Sequence, residues 1–339
     1  MNLLNPSRLL DKHRDELGRN LLIVNPMADS LASVLNQDGK QLTLVSHDFL
    51  ISRQLTQSGF EVHFGCQPQL DKLAAIDAAV LYLPSTKPLA KQLMQWLASV
   101  LPQHTPTYIV GDNKGGIKSA LKQMGEFYEN ASKYASGAHC QLLFGLSQRI
   151  STPALAASST TISTPQGSLN LAGLPGVFSE GSLDHGTRLL LEHLPPLSGR
   201  ILDFGCGAGI IGASIKQAHP DTDVEMLDIN AFALECSQAT LQANGLQAKV
   251  YASDGFSEVE GKFDFIISNP PFHHVGKQTL DTTERFIANA KLHLKPGGTL
   301  LFVANHHLPY GEAMNKAFGR VNLLAQDNKF KLYFDQNRS

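Results

Sequence analysis

Only four of the 339 residues are cysteine, Cys66, Cys140, Cys206 and Cys236, and no two form a Cys-x-x-Cys pair. That spacing argues against a disulfide framework and a cysteine-built zinc site, and it fits reduced thiols in a cytosolic protein. No apolar run approaches the roughly 20 residues that cross a bilayer. The first residues, Met1-Asn2-Leu3-Leu4-Asn5-Pro6, do not read as a signal peptide. A cytoplasmic protein with no membrane partner is therefore expected. Strong charge of either sign is missing too, the net value being −2. Residues 1–175 carry 14 Lys/Arg against 12 Asp/Glu, and residues 176–339 carry 14 against 18. A partner bearing phosphates would favour the first half, though only weakly. What is present is 42% apolar and 17% charged residues, the balance of a chain that folds. Its length is too great for one ordinary core, so two domains are expected.

Residues 151–175 carry no charge and are rich in Ser, Thr, Pro and Gly, which marks a joining segment of short strands and turns. Within it, Thr160–Ser163 and Ser168–Leu171 flank Pro165-Gln166-Gly167 as a hairpin. Domains at 1–150 and 176–339 follow. In the second, strands are expected at Arg200–Phe204, Asp223–Leu227, Lys249–Ala252, Phe263–Ser268, Thr299–Ala304 and Lys329–Phe334. Helices are expected at Ile210–Gln217, Ala231–Ala243 (ended by Asn244-Gly245) and Thr283–His293, and Lys295-Pro296-Gly297-Gly298 makes a turn. Alternation of this kind means α/β architecture, a parallel sheet covered by helices with ligands at the carboxyl ends of its strands. The first half echoes the pattern. Gly18–Val24 matches Gly199–Phe204, and Ala79–Pro84 matches Phe265–Pro270, which sets Leu83 where the second half has Asn269. Its first turn, Asn25-Pro26-Met27-Ala28-Asp29, has no glycine. Two origins fit: a duplication whose first copy lost its functional groups, or unrelated α/β domains that share generic alternation.

Two stretches carry chemistry. Ile201-Leu202-Asp203-Phe204-Gly205-Cys206-Gly207-Ala208-Gly209 is a strand running into a turn where backbone can approach a ligand, since Gly205, Gly207 and Gly209 have no Cβ. Such a loop alone also suits a dinucleotide. Asn269-Pro270-Pro271-Phe272 follows another apolar strand. Asn supplies an acceptor, the prolines fix the chain and expose carbonyls, and Phe offers a flat face to a planar ring. Together they suit a planar group bearing an amine, set beside a cofactor loop. An exocyclic amine is a poor nucleophile because its lone pair is delocalised. If the Asn269 oxygen and the Pro270 carbonyl accept its two N–H bonds, the nitrogen is held and the lone pair drawn toward an electrophile.

The pair resembles the class I S-adenosylmethionine (SAM)-dependent methyltransferases that act on exocyclic amino groups. The resemblance implies SAM as cofactor, with Asp203 near its cationic methionine end and Asp228 accepting from the ribose hydroxyls. NAD sites share that last acid. Ile229 would cover the adenine and Asp254 receive its amino group; a solvated turn aspartate is the other reading of Asp254. Upstream, residues 176–191 form a loop entering an amphipathic helix, placed as a lid, with Phe178 and Asp184 as candidate contacts. His273 follows the Asn-Pro-Pro-Phe stretch as a substrate-lining residue. Adjacent histidines (His273-His274, His306-His307) diverge and lack an acidic partner at helical spacing, so no metal is expected. In the first half Lys114, Lys118 and Lys122 recur every four residues and line one face if the segment is helical. They are either a grip on RNA phosphates or a solvated face.

Asn-Pro-Pro-Phe-His, the lead-in Phe178-Ser179-x-x-x-Leu183-Asp184-x-Gly186, the late Lys329-Phe330-Lys331-Leu332-Tyr333 and the worn first copy are together similar to the ribosomal RNA small subunit methyltransferase C family. The resemblance covers almost the whole chain. It implies two tandem Rossmann-like class I methyltransferase domains with a degenerate N-terminal one, and N2-methylation of guanine in 16S rRNA or the small ribosomal subunit. A monomer is expected. Adenine-N6 and glutamine-N5 methyltransferases share the Asn-Pro-Pro-aromatic logic. A catalytically inactive RNA-binding assembly factor is the reading from another class, and intact Asp203, Asp228 and Asn269 argue against it.

Overall fold

The structure, a computed structural model, describes residues 2–338 except 72, 152–154, 156, 178–180, 271–276, 307 and 309. The chain forms two compact units, Met1–Ala156 and Ala157–Ser339. In the first, α1 (Asn5–Lys12) precedes β1 (Asn20–Val24), α2 (Leu31–Gln37), β2 (Gln41–Ser46), α3 (Phe49–Gln57), β3 (Val62–Phe64), β4 (Ala78–Tyr82) and α4 (Lys87–Val100). Then come β5 (Pro106–Asp112), α5 (Ile117–Met124), β6 (Tyr128–Gly137) and β7 (Cys140–Ser147). The sheet order is β3-β2-β1-β4-β5-β7-β6. β1 to β5 pair in parallel, and β7 runs antiparallel to both its neighbours. The central strands are buried runs of Leu, Ile, Val and Ala, which is what a sheet covered on both faces demands.

The second unit opens with a hairpin, β8 (Ser158–Thr164) and β9 (Gly167–Gly173). It continues with α6 (His185–Glu192), β10 (Arg200–Phe204), α7 (Ile210–Ala218), β11 (Asp223–Asp228), α8 (Ala231–Ala243) and β12 (Lys249–Ala252). Then follow β13 (Phe263–Ser268), α9 (Lys277–Leu292), β14 (Leu294–Asn305), α10 (Tyr310–Phe318), β15 (Leu323–Gln326) and β16 (Phe330–Gln336). Its sheet, β12-β11-β10-β13-β14-β16-β15, repeats the first in order and in every strand direction. Each helix also falls at the same place in the succession, from α1 and α6 to α5 and α10. Generic alternation does not reproduce an identical succession of this length. The architecture is α/β, with two tandem Rossmann-like units.

Three expectations shift. The hairpin is part of the second unit and not only a joiner. Leu169 and Leu171 are buried, Ala172 N–H donates to Thr240 Oγ1 at 3.0 Å, and Asn170 N–H donates to Asn244 Oδ1 at 2.9 Å, tying β9 to α8. Register moves the match between the copies by one residue. Leu21 pairs with Ala78 as Ile201 pairs with Phe265, so Tyr82, not Leu83, occupies the position of Asn269. Asp77 and Asp264, the residues just before Ala78 and Phe265, confirm the frame: each accepts a backbone N–H at the start of the neighbouring strand, from Asn20 and from Arg200. Finally, α5 begins at Ile117 after a left-handed Gly116 (φ 90°), so Lys114 lies in the preceding turn and only Lys118 and Lys122 share a helical face. All three lysines are exposed.

Candidate active site

The glycine loop leaves β10 through three left-handed residues, Gly205 (φ 72°), Gly207 (φ 56°) and Gly209 (φ 85°), a backbone that side chains resist. Gly205 and Cys206 both donate N–H to Leu227 O at 2.9 Å, and α8 braces the turn through Ser237 Oγ to Gly207 O and Thr240 Oγ1 to Ala208 O. The glycines differ in purpose. A Cβ on Gly209 would lie 3.1 Å from the Ser237 Cα, so that position serves packing. A Cβ on Gly205 or Gly207 would meet nothing within 4 Å, so the chain leaves open space over those two residues.

Asp203 lies on β10 beneath the loop, fully buried. Its Oδ2 accepts from Gly212 N–H at 2.8 Å, while its Oδ1 has no hydrogen-bond partner among the described residues. Burial pushes the carboxyl up to about 7 from its ordinary 3.8; the Gly212 bond opposes the shift and the Asp228 charge adds to it. A buried carboxylate oxygen without a donor is costly unless something cationic or hydrogen-bonding completes it. Asp228 ends β11. Its Oδ2 accepts from Gly207 N–H and its Oδ1 from Asn230 N–H, each at 3.0 Å, so this acid also fixes the loop. Asn230 in turn caps α8 through Phe232 N–H. Ile229 is half-buried beside it. Asp254 follows β12, half-buried, and its carboxylate accepts no hydrogen bond among the described residues. The open glycine cradle and the orphaned Asp203 oxygen fit a cationic, nucleoside-bearing ligand.

Asn269 follows β13, whose last residue, Ser268, donates Oγ–H to Phe204 O at 2.7 Å and so binds the two strand ends together. The Asn269 amide nitrogen donates to Asp184 Oδ1 at 3.2 Å and to Thr187 Oγ1 at 2.9 Å. Asp184 is the N-cap of α6, accepting from Thr187 N–H at 3.1 Å. An ionised carboxylate only accepts, so the amide nitrogen must face α6 and the Asn269 oxygen the other way. That oxygen accepts no hydrogen bond among the described residues. Asp184, expected as a lid contact, therefore reaches the site through Asn269. Thr187 was not among the expected residues; the cue was a capping Asp three residues before a Thr at a helix start. Pro270 is buried. Phe178, Pro271, Phe272, His273 and His274 lie outside the described residues. No group of His, Cys, Asp and Glu among the described residues is arranged to hold a metal.

A doubly wound sheet that sets a ligand loop beside an amide with an outward-turned carbonyl defines the class: a class I methyltransferase. Comparison with known proteins narrows it. The methyltransferase small domain family matches residues 168–334, and the methyltransferase small domain N-terminal family matches residues 7–159. The ribosomal RNA small subunit methyltransferase C of Shewanella loihica is 42% identical over 339 residues, covering 98% of each chain. That of Shewanella baltica strain OS195 is 41% identical over 347 residues, covering 99% of this chain and 100% of the other. The chain belongs to the ribosomal RNA small subunit methyltransferase C family. Among solved structures, a T. thermophilus 16S rRNA N2 G1207 methyltransferase in complex with AdoMet and guanosine has the same fold. Its TM-score is 0.87 at 22% identity, over 98% of this chain and 91% of that one.

Proposed function

We propose that the second unit transfers a methyl group from SAM to the exocyclic N2 amine of a guanine in 16S rRNA. The observation that carries this is Asn269: both its amide hydrogens are engaged by α6, which leaves its oxygen as an oriented acceptor at the end of a strand next to the cofactor loop. SAM, when bound, supplies an electrophilic methyl on a sulfonium. The chain's residues do the rest. Asp203 meets the ammonium of the methionine end, Gly205 and Gly207 let the backbone close on it while Gly209 lets the loop pack on α8, Asp228 accepts from the ribose, and Ile229 and Asp254 hold the adenine. The Asn269 oxygen and the Pro270 carbonyl accept the two N–H bonds of the amine, and Phe272 stacks on the base. Holding the nitrogen and drawing its lone pair out of conjugation is positioning plus electrostatics, a contribution of several kcal/mol to the barrier. No general base is required before transfer, because the methylated ammonium is acidic and loses its proton readily.

Phe178 and His273 contact the base, Asp184 acts on it through Asn269, and Lys114, Lys118 and Lys122 of the first unit attract RNA phosphates. The chain acts as a cytoplasmic monomer. No helix among the described residues is long and apolar enough to cross a membrane. The test is incubation with tritiated SAM and either 16S rRNA or small subunits, followed by identification of the labelled nucleoside. N2-methylguanosine is expected. Label in N6-methyladenosine or in protein glutamine would redirect the reading to the related amine and amide methyltransferases. No label, with SAM bound in calorimetry or not, would leave an inactive RNA-binding factor.

A further inference from the structure

The late segment Lys329-Phe330-Lys331-Leu332-Tyr333 has no part in the chemistry above, yet it reaches the site. Phe330, the first residue of β16, stacks on His185 with ring centroids 5.7 Å apart. It also packs so closely on the first turn of α6 that a Cβ on Gly186 would lie 3.2 Å from its ring. Asp327, just before β16, accepts from Lys329 and Phe330 N–H at 2.7 Å each and pairs with His185 Nε2 at 2.6 Å. The backbone bonds, with help from His185, hold its carboxyl down to about 2. The start of α6 is thus clamped from outside by Phe330 and Asp327, while its inner side holds Asn269.

We propose that this first turn of α6 is a positioning device for the methyl-accepting amine: Asp184 and Thr187 fix which way round the Asn269 amide sits, and Phe330 and Asp327 fix where the turn sits. The inference rests on the methyltransferase reading of Asn269. Its physical basis is that a primary amide can flip by 180° with little change of shape, exchanging an acceptor for a donor. A flipped Asn269 would present N–H to an amine that itself needs an acceptor. One carboxylate that only accepts, with one hydroxyl oxygen accepting the second hydrogen, removes that alternative. Both contacts come from the start of α6, Thr187 being 4% exposed and Asp184 half-buried. The first unit keeps the same link with other groups. Ser7, third residue of α1 as Thr187 is of α6, contacts Tyr82, at the position of Asn269, through Ser7 Oγ and Tyr82 OH 2.7 Å apart. The tether from helix to strand end is therefore part of the fold's plan, and the second unit uses it to orient an amide.

The test uses the full chain with tritiated SAM and 16S rRNA, on Asp184→Asn, Thr187→Val, Thr187→Ser and Asn269→Ala. Asn remains a good helix cap but admits the flipped amide, and Val keeps the shape of Thr without its oxygen. Each of Asp184→Asn and Thr187→Val should lower kcat on RNA by about tenfold or more, since small misplacement of a reacting group costs that much. SAM affinity by calorimetry should stay within about twofold, because neither residue meets the cofactor. Thr187→Ser should restore kcat. Rescue by the hydroxyl of Ser, with SAM affinity unchanged throughout, is a pattern that a merely structural role would not give. Full kcat in both single variants with an inactive Asn269→Ala would overturn the proposal and leave the function standing. So would failure of Thr187→Ser to rescue, or a loss of SAM affinity in Thr187→Val that matches its loss of kcat. Full activity in Asn269→Ala would overturn both.

Discussion

Replacing Asp203 by Asn tests the cofactor half of the site most sharply. The substitution keeps the side chain's shape and an oxygen to accept from Gly212 N–H, but removes a charge at a position fully closed to solvent. Because burial raises the carboxyl to about 7, the free protein at pH 6 is mostly protonated there. The ammonium of SAM prefers the carboxylate. Affinity should therefore fall about tenfold per pH unit below 7, the slope of one titrating group. Above about 7.7–8.0, where an α-amino group loses its proton, affinity should fall again, giving a bell. In Asp203→Asn the acid limb should vanish while the alkaline limb, which belongs to the ligand, stays. At pH 7.5 the variant should bind about 10- to 100-fold more weakly, the loss of one hydrogen bond between charged groups. Near pH 5.5 the two proteins should bind almost alike.

Stability gives an independent reading of the same group. The folded pKa lies above the unfolded one, so between about pH 4 and 7 the native state holds the extra proton. Stability of the free protein then falls as pH rises through that window, and the deficit is complete above 7. The Asn variant should lack this slope and unfold at higher denaturant at pH 7.5, by an amount on the order of a few kcal/mol. Calorimetric titration with SAM from pH 5.5 to 8.5, and urea unfolding over the same range, supply both curves. An acid limb that persists in Asp203→Asn, or is missing from the natural protein, would refute the assignment of Asp203.

Asn269→Ala should abolish methyl transfer yet leave SAM affinity within a few-fold, measured by radiolabel incorporation and calorimetry; a matching loss of SAM binding would contradict the division of roles. Asp228→Ala should weaken SAM binding by at least about 1.5–3 kcal/mol, because it removes a charged acceptor. The loss of its bond to Gly207 N–H should add to this; unchanged affinity would count against the cofactor position. Neutralising Lys114, Lys118 and Lys122 together should lower RNA affinity and flatten its salt dependence without altering SAM binding. An unchanged salt slope would mark them as a solvated face. A crystal soaked in SAM should hold one molecule per chain, in the second unit, and two would refute the loss of the first site.

The second unit was legible because its strands are short apolar runs ending at functional groups, and its turns carry left-handed glycines. Asn244-Gly245 ended α8 where expected, and β10, β12 and β13 took the expected bounds. Elements made by tertiary context were not legible. α9 starts at Lys277, well before the expected Thr283, in a stretch of Gln, Thr and Asp with weak periodicity. β14 starts at Leu294, its Pro-Gly-Gly turn absorbed as an irregularity against β13, with Gly297 at φ 79°. α10 and the exposed edge strand β15 gave no clear pattern. The match between the halves slipped by one residue because it was anchored on proline, whereas the ladder is anchored on Asp77 and Asp264. In the site, the left-handed glycine turn and the acids at the ends of β10 and β11 were readable from type and spacing. Thr187 was not, since its role depends on a contact 82 positions away.

Comparing the copies position by position shows what losing function does to a fold. By register, Ile23 stands for Asp203, Asn25 for Gly205, Ser46 for Asp228 and Tyr82 for Asn269. Each replacement is satisfied within the unit. Ile23 is a buried apolar side chain with nothing to pair. Asn25 keeps the left-handed turn (φ 58°) and spends its amide on Tyr82 O at 3.1 Å. Ser46 donates to Asp48 O at 2.8 Å, and the Tyr82 ring fills its position with its hydroxyl on Ser7. At three of the four points the second unit differs in the opposite sense: among the described residues it has a buried Asp203 oxygen without a donor, two glycines facing open space and an Asn269 oxygen without a donor, while Asp228 is held by Gly207 and Asn230 N–H. Unsatisfied buried polar groups are costly, and a stretch released from selection for binding loses them. The second unit is therefore open at the positions proposed to meet cofactor and base, while the first keeps the architecture with each matching position closed within itself.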